Sequence, residues 1–122
     1  MNDTEKALVI EWLGKITSID FEGKKVVKSQ LEKATVTKIS KRYSHVFVEF
    51  QFNSIVPLLP FKKLGSPIQM SAHQQNKPPI FFVLIAKDGV IIELEVGTVD
   101  ASELDIYNID LSNVEYSVSS VS

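Results

Sequence analysis

The sequence predicts an α+β domain in which two N-terminal helices pack on a meandering antiparallel β-sheet. Three observations predict this class. Apolar residues recur at helical spacing near the N-terminus, they alternate with polar residues from residue 35 onward, and Asp88-Gly89 separates two apolar runs. Because Asp-Gly favours a type I′ turn, the two runs should form a β-hairpin. With 122 residues, the chain is expected to fold as one domain, 1–122.

The helices are predicted at residues 3–16 and 24–34. Asn2 or Thr4 can cap the first helix, because their side chains can accept a hydrogen bond from a free backbone N–H. Its apolar stripe has i, i+3, i+4 spacing and consists of Leu8, Val9, Trp12, Leu13 and Ile16. The second helix should bury Val27, Leu31 and Ala34 and leave its lysines in water.

From Thr35 the apolar period changes from 3.6 to 2, which predicts strands. The clearest strand is residues 45–52. The other predicted strands are 35–39, 68–74, the two hairpin arms, 106–111 and 114–118. The proline-rich segment 53–67 should be a loop, and Asn76 to Pro79 should interrupt the sheet.

The register of the hairpin can be derived from its turn. If Asp88-Gly89 is a two-residue loop, each step back from Lys87 matches one step forward from Val90. One hairpin face would then be apolar throughout and lie against the helices, through the pairs Ile85–Ile92, Val83–Leu94 and Phe81–Val96.

The opposite hairpin face is the predicted binding surface. It would pair Leu84 with Glu93 and Phe82 with Glu95. Because two carboxylates are costly to bury without partners, we expect this face to be partly open, with Phe82 and Leu84 as apolar anchors for a partner. The alternative is that loop 53–67 folds over it, through Leu58, Leu59 and Phe61.

Charge is distributed unevenly along the chain. Eleven of the thirteen basic residues lie at or before Lys63, whereas eight acids and no Lys or Arg lie from Asp88 onward. Nucleic-acid binding needs a basic footprint, so we do not expect it. The acids could present a negative surface to a basic partner. The alternative is that they only solvate edge strands.

Catalytic, metal and cofactor motifs are missing from the sequence. There is no cysteine, neither His45 nor His73 has a second ligand at zinc spacing, and no serine lies in a Gly-x-Ser-x-Gly elbow. Glu93 and Glu95 could act as paired carboxylates, but such pairs are common on strands. We therefore expect no enzymatic activity and no cofactor.

The N-terminal sequence and the apolar runs bear on localisation. The chain begins Met-Asn-Asp-Thr-Glu, without the basic and apolar regions of a signal peptide. Its longest apolar runs are too short to cross a bilayer. We therefore expect a cytoplasmic protein that does not contact membranes.

The segment from Asp88 to Leu104 resembles a known family. It combines a small hairpin turn, Glu93-Leu94-Glu95 followed by an aliphatic residue, and Asp100 followed by a small residue. This pattern is similar to small bacterial immunity proteins encoded beside polymorphic toxins, including contact-dependent inhibition systems. In that family a helix precedes a Leu-containing helix and an antiparallel sheet, an order that residues 30–36 and 46–50 follow here. The segment 105–110 departs from the family pattern.

The resemblance implies a stoichiometric inhibitor that binds a cognate toxin, for example a nuclease, and blocks its active site. An acidic surface would complement the basic cleft of a nuclease. The contact residues expected on this basis are Phe82, Leu84, Glu93, Glu95, Asp100, Glu103 and Asp105. The alternative is a small-molecule-binding or enzymatic α+β domain, with a pocket between helices and sheet lined by Trp12, Phe50 or Phe81.

Overall fold

A computed structural model describes residues 2–60 and 63–118 of the chain. Two helices precede a six-stranded sheet with the order β1-β2-β5-β4-β3-β6, in which every pairing is antiparallel. This confirms the predicted α+β class. The elements are α1 (Asp3–Ile16), α2 (Lys24–Lys33), β1 (Ala34–Lys41), β2 (His45–Phe52), β3 (Ile68–Gln74), β4 (Lys77–Lys87), β5 (Val90–Thr98) and β6 (Val114–Val118).

Helix α1 has the predicted bounds and the predicted cap. The Asn2 side chain accepts a hydrogen bond from the Glu5 backbone N–H at 2.8 Å, which satisfies one of the free donors of the first turn. Val9, Trp12 and Ile16 of the apolar stripe are buried, and Leu8 and Leu13 are half-buried. Trp12 meets Phe82 edge-to-face with ring centroids 5.8 Å apart, so α1 lies on the sheet face that carries Phe82.

Helix α2 is tied to the rest of the fold by one polar side chain. Gln30 is fully buried, and its Nε2 donates to the carbonyls of Pro57 at 2.7 Å and Gly89 at 2.9 Å. Its Oε1 accepts from the Ile91 N–H at 2.8 Å. Gln30 therefore joins α2, the loop after β2 and the hairpin turn. The helix ends one residue before its predicted end, because Ala34 is already extended.

The β4–β5 hairpin has the predicted turn but a different register. Asp88 and Gly89 both have positive φ, at 54° and 80°, as a type I′ turn requires. The first pairs match the prediction, but the register then shifts by one residue. Leu84 pairs with Leu94 and Phe82 with Val96, so the predicted pairings of Leu84 with Glu93 and of Phe82 with Glu95 are wrong.

A one-residue bulge at Ile92 causes this shift. Ile91, Leu94 and Val96 are all fully buried, and residues 91 and 94 cannot share one face of an unbroken strand because side chains alternate. The bulge inserts one extra residue and brings all three to the core. Because side chains alternate, a slip of one residue moves each β4 side chain to the opposite face, while Leu94 and Val96 of β5 stay on the predicted side. The face predicted to contact the helices therefore points away from them in β4.

Two long connections run along opposite ends of the sheet. The described part of the connection between β2 and β3 (53–60 and 63–67) passes the hairpin turn, where the Leu59 N–H donates to the Gly89 carbonyl at 2.9 Å. Residues 99–113 pass the other end, where the Leu104 N–H donates to the Tyr43 carbonyl at 2.9 Å. The predicted strand 106–111 lies in this second connection and does not form a strand. The predicted break at Asn76 to Pro79 is only a tight turn, and β4 begins at Lys77.

Candidate functional site

The sheet face that points away from the helices is the candidate site. Within residues 2–60 and 63–118 no helix covers it, and we call it the open face. Its central side chains are half-buried or exposed. They lie on the four strands β1, β2, β5 and β4, and include Lys38, Ser40, His45, Phe47, Glu49, Phe81, Val83, Ile85, Glu93 and Glu95.

Three glutamates form a carboxylate cluster on the open face. Glu49 of β2 lies directly opposite Glu93 of β5, and Glu95 follows two residues later on the same face. Partial burial raises the pKa of Glu93, and the negative charges of Glu95 and Glu49 raise it further. Lys38 is the cross-strand neighbour of Glu49. The cluster therefore concentrates negative charge on a partly desolvated surface.

Three rings form an aromatic shelf beside the cluster. His45 and Phe81 lie opposite Gly97 from the two neighbouring strands, and their ring centroids are 5.5 Å apart. Phe47 stacks on His45 with centroids 6.1 Å apart. A Cβ at Gly97 would lie 2.5 Å from Cδ2 of His45 and 2.7 Å from Cζ of Phe81. The rings can meet over β5 because this position is glycine.

Aliphatic side chains extend the open face across β4. Val83 lies directly opposite Glu95, Ile85 lies opposite Glu93, and both are half-buried. The pairing row through Phe47, Glu95 and Val83 continues on both sides to the edge strands. The open face thus places apolar side chains directly beside the carboxylates.

Phe82 and Leu84 cannot anchor a partner, because both side chains are fully buried under the helices. The bulge at Ile92 is the physical reason, since it turns Phe82 and Leu84 to the core and leaves their neighbours Phe81 and Val83 on the open face. The predicted glutamates Glu93 and Glu95 do lie there, each half-buried.

The other predicted acids lie on a different surface. Asp100, Glu103 and Asp105 are exposed on the connection 99–113, which we call the acidic loop. Glu103 and Asp105 line a cavity of about 310 Å³ together with Ile80 and Thr98, which are paired and buried. The structure therefore separates the predicted contact residues into two groups.

Acids of the acidic loop have a role in the loop itself. Asp100, Asp105 and Asp110 each accept a hydrogen bond from the backbone N–H two residues later, at 3.1, 3.1 and 2.9 Å. Side-chain and backbone hydrogen bonds lower the pKa of all three carboxyls. These acids stabilise turns, which gives them a structural reason to be present.

The alternative in which loop 53–67 covers the glutamates is wrong for the two leucines that the structure describes. Leu59 is buried, and its Cδ2 would lie 2.8 Å from a Cβ on Gly23, at the start of α2. It therefore contacts the helical side of the sheet. Leu58 is 60 % exposed. Phe61 lies outside the described residues.

A serine, a histidine and a carboxylate meet at the edge of the shelf. The hydroxyl of Ser44 lies 2.6 Å from Nδ1 of His45, and Nε2 of His45 lies 3.8 Å from Oε1 of Glu95. The second distance is too long for a hydrogen bond, so Glu95 does not orient the imidazole. The arrangement does not meet the geometry of nucleophilic catalysis.

A partial signal exists in the sequence for the site residues that were not predicted. The alternation of β2 places Phe47 and Glu49 on one face, but nothing local shows that β2 pairs with β5. The shelf depends on that pairing, because it brings His45 next to Gly97. The site could therefore be recognised in pieces and not as one surface.

Comparisons with protein-family models, curated proteins and solved structures find no match to the chain. Neither α1 nor α2 has the length and hydrophobicity needed to cross a membrane. Among the described residues, no group of three or more His, Asp or Glu side chains is placed to hold a metal ion.

Proposed function

We propose that the protein is a cytoplasmic immunity protein that binds a cognate toxin domain through its open face and blocks the toxin's active site. The observation that supports this proposal is the combination, on one sheet face that no described helix covers, of a carboxylate cluster, an aromatic shelf and aliphatic side chains. Inhibition by occupation needs an extended surface and no reacting group.

The charge of the open face indicates the chemistry of the partner. Glu93 is partly desolvated beside two further carboxylates, so a partner that brings Lys or Arg would relieve their repulsion. Nuclease toxins have such basic surfaces where they bind phosphates. The aromatic rings would add apolar contact and cation–π contact with Arg side chains.

The size of the open face fits a protein partner. Six strands at about 4.8 Å spacing span about 24 Å, and strands of this length run for about 20 Å. Each partner in a complex of standard size buries about 800 Å² of accessible surface. A flat rectangle with the two dimensions given above already covers more than half of that area.

The test uses two matched double variants and, as the partner, the toxin domain that this proposal predicts to be encoded beside the chain. We expect Glu93→Lys with Glu95→Lys to slow association about tenfold, to reduce its salt dependence and to abolish growth protection. Asp100→Lys with Asp105→Lys makes the same charge change on the acidic loop and should leave the open-face contacts intact. Stopped-flow association rates and growth under toxin expression give the readouts.

A second pair of variants tests the apolar part of the surface. Phe81→Ala should speed dissociation from the toxin, because it removes one wall of the shelf, while Lys87→Ala on the same strand should not. Circular dichroism establishes that each variant is folded. Wild-type affinity and protection in the Glu93/Glu95 and Phe81 variants would contradict the proposal.

A further inference from the structure

An apolar trough separates α1 from α2 on the helical side of the sheet. One cavity of about 400 Å³ lies between α1, the end of α2 and the first two strands, and an adjoining cavity of about 230 Å³ continues along the helices. Ile10, Leu13 and Leu31 line both cavities, so the two form one continuous trough. It runs along α1 from Lys6 to Thr17, about 17 Å at 1.5 Å per residue.

The walls and floor of the trough are aliphatic and aromatic. Its six main apolar lining residues are Val9, Ile10, Leu13, Leu31, Val36 and Phe50. Ile10 is 70 % exposed on the rim, so it adds apolar surface at the mouth of the trough. The lining is mostly apolar, as in small-molecule sites, and the trough is open to solvent along its length.

The two ends of the trough differ in charge. Lys6 stands at the end next to β1 and forms no ion pair with any described residue, while the nearby Glu5 pairs with Lys41 at 3.5 Å. At the other end one cation, Lys28, and one anion, Glu32, line the cavity, so the formal charge of that lining is zero. The trough therefore has one cationic end and one end that is neutral overall.

We propose that the trough binds a linear amphiphile with an anionic head, such as a medium-chain fatty acid. The carboxylate lies at Lys6, and the chain extends between Ile10 and Leu31 toward Gly14. This site is on the opposite side of the sheet from the open face and is independent of the proposed toxin binding.

A series of fatty acids tests the depth of the trough. For hexanoate, octanoate, decanoate and laurate, each added methylene should raise the affinity about fourfold until the trough is full. Isothermal titration calorimetry with the whole chain gives the affinities. A series in which affinity does not depend on chain length would overturn the proposal.

Gly14→Leu tests the path of the chain. A Cβ at Gly14 would have no neighbour within 4 Å, so a leucine can extend into the trough. We expect this variant to bind laurate at least tenfold more weakly and hexanoate unchanged, because only the distal part is filled. Its melting temperature should not fall, since leucine favours a helix over glycine, and loss of binding would not reflect unfolding.

Lys6→Gln tests whether the carboxylate of the ligand lies at Lys6. It should weaken laurate binding about threefold and leave binding of the cationic dodecyltrimethylammonium no weaker. Equal loss for both ligands would contradict a carboxylate at Lys6. A concentration-dependent dimer that Gly14→Leu dissociates, with no laurate binding, would assign the trough to a second copy of the chain and overturn the proposal. The protection that Gly14→Leu gives against the toxin is measured separately, because it reports on the open face and not on the trough.

Discussion

Phe81 and Phe82 are neighbours in the sequence, yet only Phe82 belongs to the core. Phe82 is fully buried under Trp12, whereas Phe81 is half-buried on the open face beside His45. Hydrophobicity does not distinguish the two residues, because both are phenylalanine. Their assignment depends on the bulge at Ile92, which only the packing of the whole core determines.

Glu93 gives a residue-scale prediction with a defined pH dependence. Burial and the neighbouring carboxylates raise its pKa above the ordinary value of 4.5, so the folded protein holds this proton more tightly than the unfolded chain. The free energy of unfolding therefore falls as pH rises through this titration. Glu93→Gln removes that loss and should stabilise the protein at pH 7 by a few tenths of a kcal/mol up to about 1 kcal/mol.

Urea unfolding at several pH values checks this prediction. The difference between Glu93→Gln and wild type should shrink as pH falls and vanish well below 4.5, where both states of the wild type are protonated. The hydrogen-bonded acids Asp100, Asp105 and Asp110 have lowered pKa values and make both proteins less stable in acid, so their effect cancels in the difference. A gain in stability of Glu93→Gln that persists at low pH would show that the gain does not arise from the ionisation of Glu93.

At the scale of elements, two glycines predict opposite effects of the same substitution. Gly89 has φ of 80°, and a Cβ there would lie 2.8 Å from the Leu59 carbonyl oxygen, so Gly89→Ala should cost about 1–3 kcal/mol. Gly14 lies in α1 with open space around it, and Gly14→Ala should stabilise by up to about 1 kcal/mol.

Thermal unfolding of the two alanine variants measures these effects directly. Each variant is the control for the other, because both add one methyl group to a glycine. If both changes lowered the melting temperature by the same amount, the roles assigned to the turn and to the helix would be refuted.

The elements differ in how far the sequence predicts them. The bounds of α1 follow from a local cap and a local apolar stripe, and the hairpin turn follows from Asp88-Gly89. The bulge at Ile92 does not, because Val90, Ile91 and Ile92 are similar in size and any of them could point inward. Which of them does so depends on the helices and on β2, which lie far away in the sequence.

At the scale of the whole molecule, Gln30 predicts how strongly the parts are coupled. Gln30→Leu keeps the volume but leaves the Ile91 N–H and the Pro57 carbonyl without their partner, whereas the Gly89 carbonyl still accepts from the Leu59 N–H. Because each buried group left unpaired costs about 1–3 kcal/mol, we expect a total loss of about 3 kcal/mol.

Chemical denaturation and hydrogen exchange distinguish this coupling from a local effect. Gln75→Leu, on the exposed β3–β4 turn, is the matched control and should change stability by no more than about 0.5 kcal/mol. In Gln30→Leu the amides of α2 and of the hairpin turn should lose protection together. Protection lost in only one of these segments would contradict the role of Gln30 as a junction.

The class of the whole molecule follows from its sequence, but the arrangement of its strands does not. The change of apolar period near Thr35 indicates helices followed by strands, which the structure confirms. Pairing of β2 with β5 and of β3 with β6 joins segments that no local signal connects. The open face exists only in that arrangement, so its glutamates could be predicted while its histidine and glycine could not.

The strand order also constrains how the chain can fold during synthesis. β2 cannot pair with β5, its second neighbour in the sheet, until β3, β4 and β5 have left the ribosome. At about 5–20 residues per second this takes several seconds, during which one edge of a very apolar strand has no partner. The nascent chain should therefore depend on chaperones more than its modest size suggests, and slowing translation should increase its aggregation.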